Sequence, residues 1–532
     1  MVLNRCVDYS LGLMNASPLL FVLASALTST ELISTGGPAN DLADDQQAGP
    51  PAETRVLELT LEDAIRIVLE HNLELRIEDM AAEIARSDAL GTWGSFDPLY
   101  QLNATYFDSE FKPITNTQGG ANNVLGLERR STNQSVNFPL LSGGSVELGY
   151  DVENSISSGD PDASLTTSTD ASLSLTLVQP LLRGAWSTYS TTNQRIAEIA
   201  YASAAERRRQ VRQDLLLRVH EAYWNLVEAI EQVDVRALSL RLGNEQLDQD
   251  KRRLDVGVGT EVDVLQAETN VATNEEQLLL AQVDAEAAED TLKSLLFHRH
   301  EAEEWGRYLR DWETPVIPLT ALPDVVTDQN LDWTRSLGRA LELRTELVQQ
   351  RLVIQDRSLR LVRAKSETLP GMSASFTASN RGFTNDFTDA LNESIGSDFP
   401  TYTAVLNFDV PLFNRAARSA KRSARIGLLS ARLEYDNAEL NIVSDVRAKV
   451  RDLNYQVKAV QAARKSLELA ERQLQAEQAR YREGLSTTFQ LLQFQEDLAQ
   501  ALSTERSARA GYARAAASLE KSEGWLGEQG QR

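Results

Sequence analysis

Four histidines, one cysteine and two glycine-marked turns are the residues of this 532-residue chain whose types or spacing could support chemistry. His298-x-His300 puts two imidazoles close enough to share a metal ion, but two histidines without a Cys partner are a weak metal signal. His71 and His220 are isolated in sequence. Cys6 is the single cysteine, which excludes a disulfide framework and a thiolate cluster. Gly257-x-Gly259 lacks the third glycine of a dinucleotide fingerprint, and no strand pattern precedes it. The sequence therefore predicts no catalytic residue, no cofactor and no metal centre. Lys and Arg number 53 against 77 Asp and Glu, a net charge of −24. That balance argues against nucleic acid, because phosphates bind basic surfaces that displace their counterions. Runs such as Glu206-Arg207-Arg208-Arg209 read as solvated helix face.

The amino terminus bears on compartment. Leu19 to Leu27 is a short apolar block, and Ala24-Ser25-Ala26 offers the small-x-small pattern of a signal-peptidase site. Arg5 is opposed by Asp8, so the leading positive charge is weak. We read 1–26 as a signal peptide and 27–56 as a flexible lead-in rich in Gly, Pro, Asp and Ala. Cys6 precedes the apolar block, so cleavage there leaves no cysteine to lipidate. No later stretch approaches the ~20 apolar residues of a membrane helix.

The rest of the chain reads as two copies of one plan. Ile65 matches Leu337 and Pro98 matches Pro370, both 272 positions apart. Pro180 in VQPLLRG matches Pro411 in DVPLFNR 231 apart, so the first copy holds 41 more residues between its prolines (272 − 231). Gly257 and Gly484, like Leu265 and Leu492, stand 227 apart. The predicted units are a first repeat over 57–297, a connector over 298–330 with Trp305, Trp312, Pro315, Pro318 and Pro323, a second repeat over 331–526, and a tail over 527–532.

Each copy contains very long helices. Ser190 to Asp255 has no Pro and a single Gly, Gly243, among good helix formers. A helix of that length extends roughly 100 Å. Leu216, Val219, Tyr223, Leu226, Val227 and Ile230 form a coiled-coil-like stripe. The remainder is heavily charged, so neighbouring helices must hold this one.

Between the helices the period changes to two. Tyr100, Leu102, Ala104 and Tyr106 alternate with polar residues, as do Leu173, Leu175 and Leu177. Met372, Ala374, Phe376 and Ala378 do the same, and so do Tyr402, Ala404, Leu406, Phe408 and Val410, with Val405 as an exception. Alternation with small hydroxyl residues on the second face is the pattern of a membrane β-barrel strand. Tyr100, Leu102, Leu173, Leu175, Leu177, Met372, Phe376, Tyr402, Leu406 and Phe408 are the predicted lipid-facing residues. The 41 extra residues hold two more such segments, Gln134 to Phe138 and Val146 to Val152, joined by the turn-like Pro139–Gly144. They fit either a further barrel pair or a hairpin outside the barrel.

These residues resemble the TolC-like outer-membrane efflux protein family over about Leu57 to Leu526. The resemblance rests on LTLEDAIRIVLEHNLELR (Leu59 to Arg76), on the corners VQPLLRG and DVPLFNR, and on the turns LDVGVGTEVDVLQAETNVA and YREGLSTTFQLLQFQEDLAQA. It implies an α+β membrane protein: a homotrimer with a shared outer-membrane β-barrel continued by a long periplasmic α-helical barrel, built from two tandem repeats. The implied function is a passive exit duct for an efflux pump or type I secretion system, joined to an inner-membrane pump through a periplasmic adaptor. Too few strands to close a barrel alone make pooling between chains a physical requirement. Pro180 and Pro411 are expected to end strands and to fit the first turn of the following helix.

Gly257, Gly259 and Gly484 are expected to supply the positive φ angles of the helix–helix turns. The resemblance makes Gly257, Val258, Gly259, Thr260, Gly484, Leu485, Ser486 and Thr487 the tips that meet the adaptor, offering backbone and small side chains. It also places Asp263 at the periplasmic pore mouth, where a threefold carboxylate ring would attract cations. The second tip departs from the family pattern with Gln490 and Gln493. The competing reading is an extended coiled-coil scaffold of the cell envelope without a pore, which leaves the alternating segments unexplained.

Overall fold

The structure, a computed structural model, describes residues 56–111, 125–158, 166–297, 305–325, 332–396 and 400–527. The signal peptide read at 1–26, nearly all of the lead-in, His298 and His300 lie outside these residues, as do parts of the connector and tail. The chain opens with β1 (Leu57–Leu59), α1 (Leu61–His71) and α2 (Leu73–Gly91). Strands β2 (Leu99–Phe111), β3 (Leu125–Pro139), β4 (Ser145–Ser158) and β5 (Thr166–Pro180) follow. A short α3 (Ser187–Ser190) leads into α4 (Thr192–Asp255), which turns back as α5 (Glu261–Leu296). The connector supplies α6 (Trp305–Glu313) and β6 (Val316–Pro318). The second half runs α7 (Trp333–Leu343), α8 (Thr345–Ser366), β7 (Gly371–Thr384), α9 (Phe387–Ile395), β8 (Pro400–Asp409), α10 (Arg415–Arg482) and α11 (Thr488–Ser522).

Helices α4 and α10 have 64 and 68 residues, near 100 Å each at 1.5 Å per residue. Each is flanked end to end by two shorter partners. The first part of α4 faces α2 through Arg207–Glu78, Arg208–Asp79 and Arg218–Glu74 pairs. Its last part faces α5, where Gly243 lets Asn270 and Asn274 approach so closely that a Cβ would meet them at 3.1 and 3.2 Å. α10 is served likewise by α8, through Arg344–Asp445 at 2.7 Å, and by α11.

The opening amphipathic segment of each half is not one helix. Asn72 and Arg344, 272 apart, break it with the same extended backbone, φ −64° with ψ 126° and 127°. Asn72 also caps the second piece, its side-chain oxygen accepting from Glu74 and Leu75 N–H.

The core lies where these breaks meet the long helices. Val68, Leu215, Val219, Tyr223, Leu292 and Val316 are buried together, and Ile230 packs partly buried against them. β1 and β6 pair in parallel beside it, Leu57 opposite Val316, tying the connector to the start of the described chain. Tyr223 ties α4 to both β1 and the connector, because its hydroxyl donates to Leu59 O at 3.1 Å and accepts from Thr320 N–H at 3.0 Å.

β2-β3-β4-β5-β7-β8 form one antiparallel sheet in that order. The additional pair thus sits inside the sheet, as β3 and β4. Pro180 is the last residue of β5, opposite Ser373. Neither proline lies in a helical first turn, which corrects that expectation. α3 begins at Ser187, and α10 at Arg415, four residues past Pro411. Instead the corners are held by hydrogen bonds. Leu181 N–H donates to Met372 O at 2.7 Å, Gly184 N–H to Ser366 Oγ at 3.1 Å, and Trp186 N–H to Ser142 O at 2.8 Å. Asn414 turns into α10 in the left-handed region, φ 40°, with its amide donating to Thr368 O.

Tyr223→Phe tests the central node. It strips the Thr320 amide of its partner and leaves the Leu59 carbonyl with Leu319 N–H alone, and the helical melt is expected to fall by a destabilisation of about 1–3 kcal/mol. Circular dichroism against temperature reads this; an unchanged midpoint contradicts the assignment.

Candidate functional site

Register decides which residues of the sheet act together, since opposite residues of antiparallel strands share a face. One row crosses all six strands as Tyr100, Val136, Leu148, Leu175, Ala378 and Tyr402. The adjacent row on the other face reads Gln101, Ser135, Gly149, Ser174, Ser379 and Thr401. All ten residues named as lipid-facing fall on the first face, although Gln134 and Asn380 interrupt it and, further along the strands, so do Thr132, Asn154 and the Glu128–Arg130 ion pair. The second face carries the Arg129–Glu153 and Arg381–Asp170 ion pairs and the exceptional Val405.

At the sheet-to-helix junction Trp93, Leu141, Trp186, Leu412 and Phe413 are exposed. Trp186 holds φ 70°, a costly angle for a bulky residue, fixed by its bond to Ser142.

At the other end of the helices the two turns share one geometry. Gly257 and Gly484 have φ of 78° and 73°. Thr260 and Thr487 then cap α5 and α11, each accepting from the backbone N–H three residues on. Asp263 and Gln490 close the boxes by reaching back to the caps, Asp263 Oδ2 accepting from Thr260 N–H at 3.0 Å. Gly259 does not have a positive φ, a correction with a steric reason. A Cβ there would meet Leu254 N at 3.0 Å and Arg253 Cβ at 3.1 Å, so glycine is needed for close approach.

The tips are less small than expected, with Val258 69% and Leu485 70% exposed. Ser486 is turned inward, its hydroxyl donating to Glu477. Gln493 lines a groove of about 630 Å³ between α5 and α11 with Leu265, Asn270 and Phe489. Among the described residues no hydrogen bond or ion pair joins Asp263 to Gln490 or Gln493 within the chain.

One cluster escaped the sequence reading. Asp250 of α4 is 1% exposed and accepts from Gln246 Nε2 at 2.9 Å and from the Tyr481 hydroxyl of α10. Tyr481 also meets Thr488 Oγ1 at 3.1 Å, and the Arg253 guanidinium lies 4.7 Å over its ring. Burial, then the bond to Asp250, pushes the Tyr481 phenol above its usual pKa, so it stays a donor at neutral pH. The cluster joins the two hairpins just above their tips. Its only sequence signal is one acid among many on a charged helix, indistinguishable from its solvated neighbours.

The profile of the outer membrane efflux protein family matches residues 145–296 and 337–524, covering β4 to α5 and nearly all of α7 to α11. The chain belongs to the outer membrane efflux protein family. Among curated relatives, the proteases secretion protein PrtF of Dickeya chrysanthemi is 27% identical over 320 residues, 56% of this chain and 63% of its own length. That match spans less than two thirds of PrtF. The outer membrane protein TolC of Vibrio cholerae serotype O1 is 23% identical over 449 residues, 83% of this chain and 95% of the relative. The outer-membrane channel OprN shares the fold with a TM-score of 0.62 at 16% identity, over 87% of this chain and 89% of its own. The outer membrane protein VceC from Vibrio cholerae does so at 0.60 and 14%, over 87% and 96%. The family sets this chain in the outer membrane and makes its work efflux.

Tyr481→Phe is expected to loosen both hairpins near their tips by about 1–3 kcal/mol, because Asp250 stays buried with a partner removed. Hydrogen exchange should quicken at the end of α4 and the end of α10 and stay unchanged around Tyr223. Equal protection in both proteins contradicts the coupling.

Proposed function

We propose that three copies of the chain form a single passive exit duct, an outer-membrane β-barrel continued by a periplasmic α-helical barrel. The observation that carries this is the six-stranded sheet whose ten alternating apolar residues share one face and whose two edges, β2 and β8, are open. Lipid does not tolerate open edges, and six strands are fewer than the eight of the smallest membrane barrels. Three sheets pooled edge to edge give eighteen strands, the size range in which barrels enclose an aqueous channel. The apolar row then meets lipid and the Ser/Thr-rich row lines the lumen. The matching turns at Gly257 and Gly484, and the matching breaks at Asn72 and Arg344, support a duplicated plan that gives each chain two hairpins for a helical wall.

The hairpin tips form the periplasmic mouth. Val258 and Leu485 present apolar side chains, and Thr260 and Thr487 cap the rigid helices behind them, a surface fit to meet a periplasmic adaptor that links the duct to an inner-membrane pump. Asp263 contributes a carboxylate at this mouth while it caps α5. Energy and cargo selection belong to the pump. PrtF is named for protease secretion, so a protein cargo is one class this duct can serve.

Planar-bilayer recording tests the proposal. Purified protein is expected to give discrete openings with cation preference, weakened in Asp263→Asn. Unchanged selectivity in the variant removes Asp263 from the mouth and leaves the duct standing. Folded protein that never inserts contradicts the duct itself.

A further inference from the structure

Helix α9 lies on the apolar face of the sheet, and we propose that it is an interfacial helix that rims the barrel in the outer leaflet of the outer membrane. The proposal rests on the barrel reading above. The placement follows from contacts. Asn380 Nδ2 donates to Glu393 O at 2.7 Å and Ser394 O at 3.1 Å, and Ser394 Oγ is 3.4 Å from the Tyr150 hydroxyl. Asn380 and Tyr150 share the row of Leu173 on the apolar face. Gly382, on the same face, is the seat, since a Cβ there would fall 2.1 Å from Ala390 O. Ala171 and Thr169 beneath and Ala390 and Ser394 above are fully buried.

Height along the strands gives this helix its role. A membrane barrel carries an apolar band about 25 Å tall with an aromatic girdle at each interface. One girdle position is filled at the junction by Trp93, Trp186 and Phe413. From Gly371 to Gly382 β7 rises about 36 Å along its own axis, and at a tilt near 40° that is a height of about 28 Å. The second girdle therefore falls at Gly382. At that row and the next one out β5 and β7 offer only Ala171, Gly382, Thr169 and Thr384 to the apolar side. α9 supplies what the strands lack. Phe387, Leu391 and Ile395 stand four residues apart along one flank, with Phe387 and Ile395 exposed. Asp389 and Glu393 take the opposite flank, which leaves a helix with one side for acyl chains and one for water.

The test uses spin labels in proteoliposomes, on a Cys6→Ser background that removes the single native cysteine. Labels are placed at Ile395→Cys, at Asp389→Cys, and at Leu406→Cys, which lies between the two girdles on the apolar face. The ratio of oxygen to nickel-chelate accessibility is expected to be highest at 406, severalfold above the 389 value at 395, and lowest at 389. Gly382→Val, which displaces the helix, should bring the 395 ratio down to the 389 value while 406 stays high. A 395 label as open to nickel as 389, with 406 protected, overturns the interfacial helix and spares the barrel. A 395 label immobile and closed to both reagents means that protein covers the flank, and also overturns it. Nickel access at 406 as well brings down the barrel reading on which the proposal stands.

Discussion

Unpaired backbone groups in hydrocarbon are the constraint on which this structure depends. Each N–H and C=O at a sheet edge costs several kcal/mol if lipid surrounds it. The six strands satisfy one another internally, yet β2 and β8 each keep a free side. A soluble sheet manages such edges with charges, prolines or bulges. Pro400 stands at the start of β8, but its mid-strand residues Thr403, Ala404 and Val405 carry no such device. An edge left this plain in a chain whose family lives in the outer membrane calls for pairing with another copy.

The helices carry the same logic into water. α4 and α10 bury a thin stripe and expose the rest, so neither is stable as a lone rod. Leu215, Val219 and Tyr223 anchor α4 near its middle, Val446 and Val450 anchor α10, and Asp250 with Tyr481 joins the two near the far end. The corner bonds at Gly184, Trp186 and Asn414 transmit the sheet's position to these rods. In the proposed duct, a barrel closed by copies at one end would fix the spacing of the hairpin tips at the other.

Much of this was legible because it repeats a simple period. Leu173 to Leu177 alternate cleanly, Tyr402 to Phe408 do so except at Val405, and the register sets their apolar residues on one face. The stripe from Leu216 to Val227 announced the buried side of α4, and the unbroken run to Asp255 gave its length. What stayed hidden depends on contacts far apart in sequence. Asn72 and Arg344 break their helices without Gly or Pro, in a pattern that otherwise reads as continuous. Gly259 looked like a left-handed turn residue and is instead a steric gap beside Arg253. α9 has nine residues, too few for periodicity to stand out, and its seat on Gly382 exists only once β5 and β7 pair. Asp250 is one carboxylate among many until Tyr481 arrives from 231 positions away.

The central claim is that open edges are closed by copies. Native mass spectrometry of the detergent-extracted, folded protein tests it most directly. The account predicts that the population with intact β-sheet signal consists of three chains, and that the single chain appears only once that signal is lost. A folded single chain retaining its full sheet signal would contradict it.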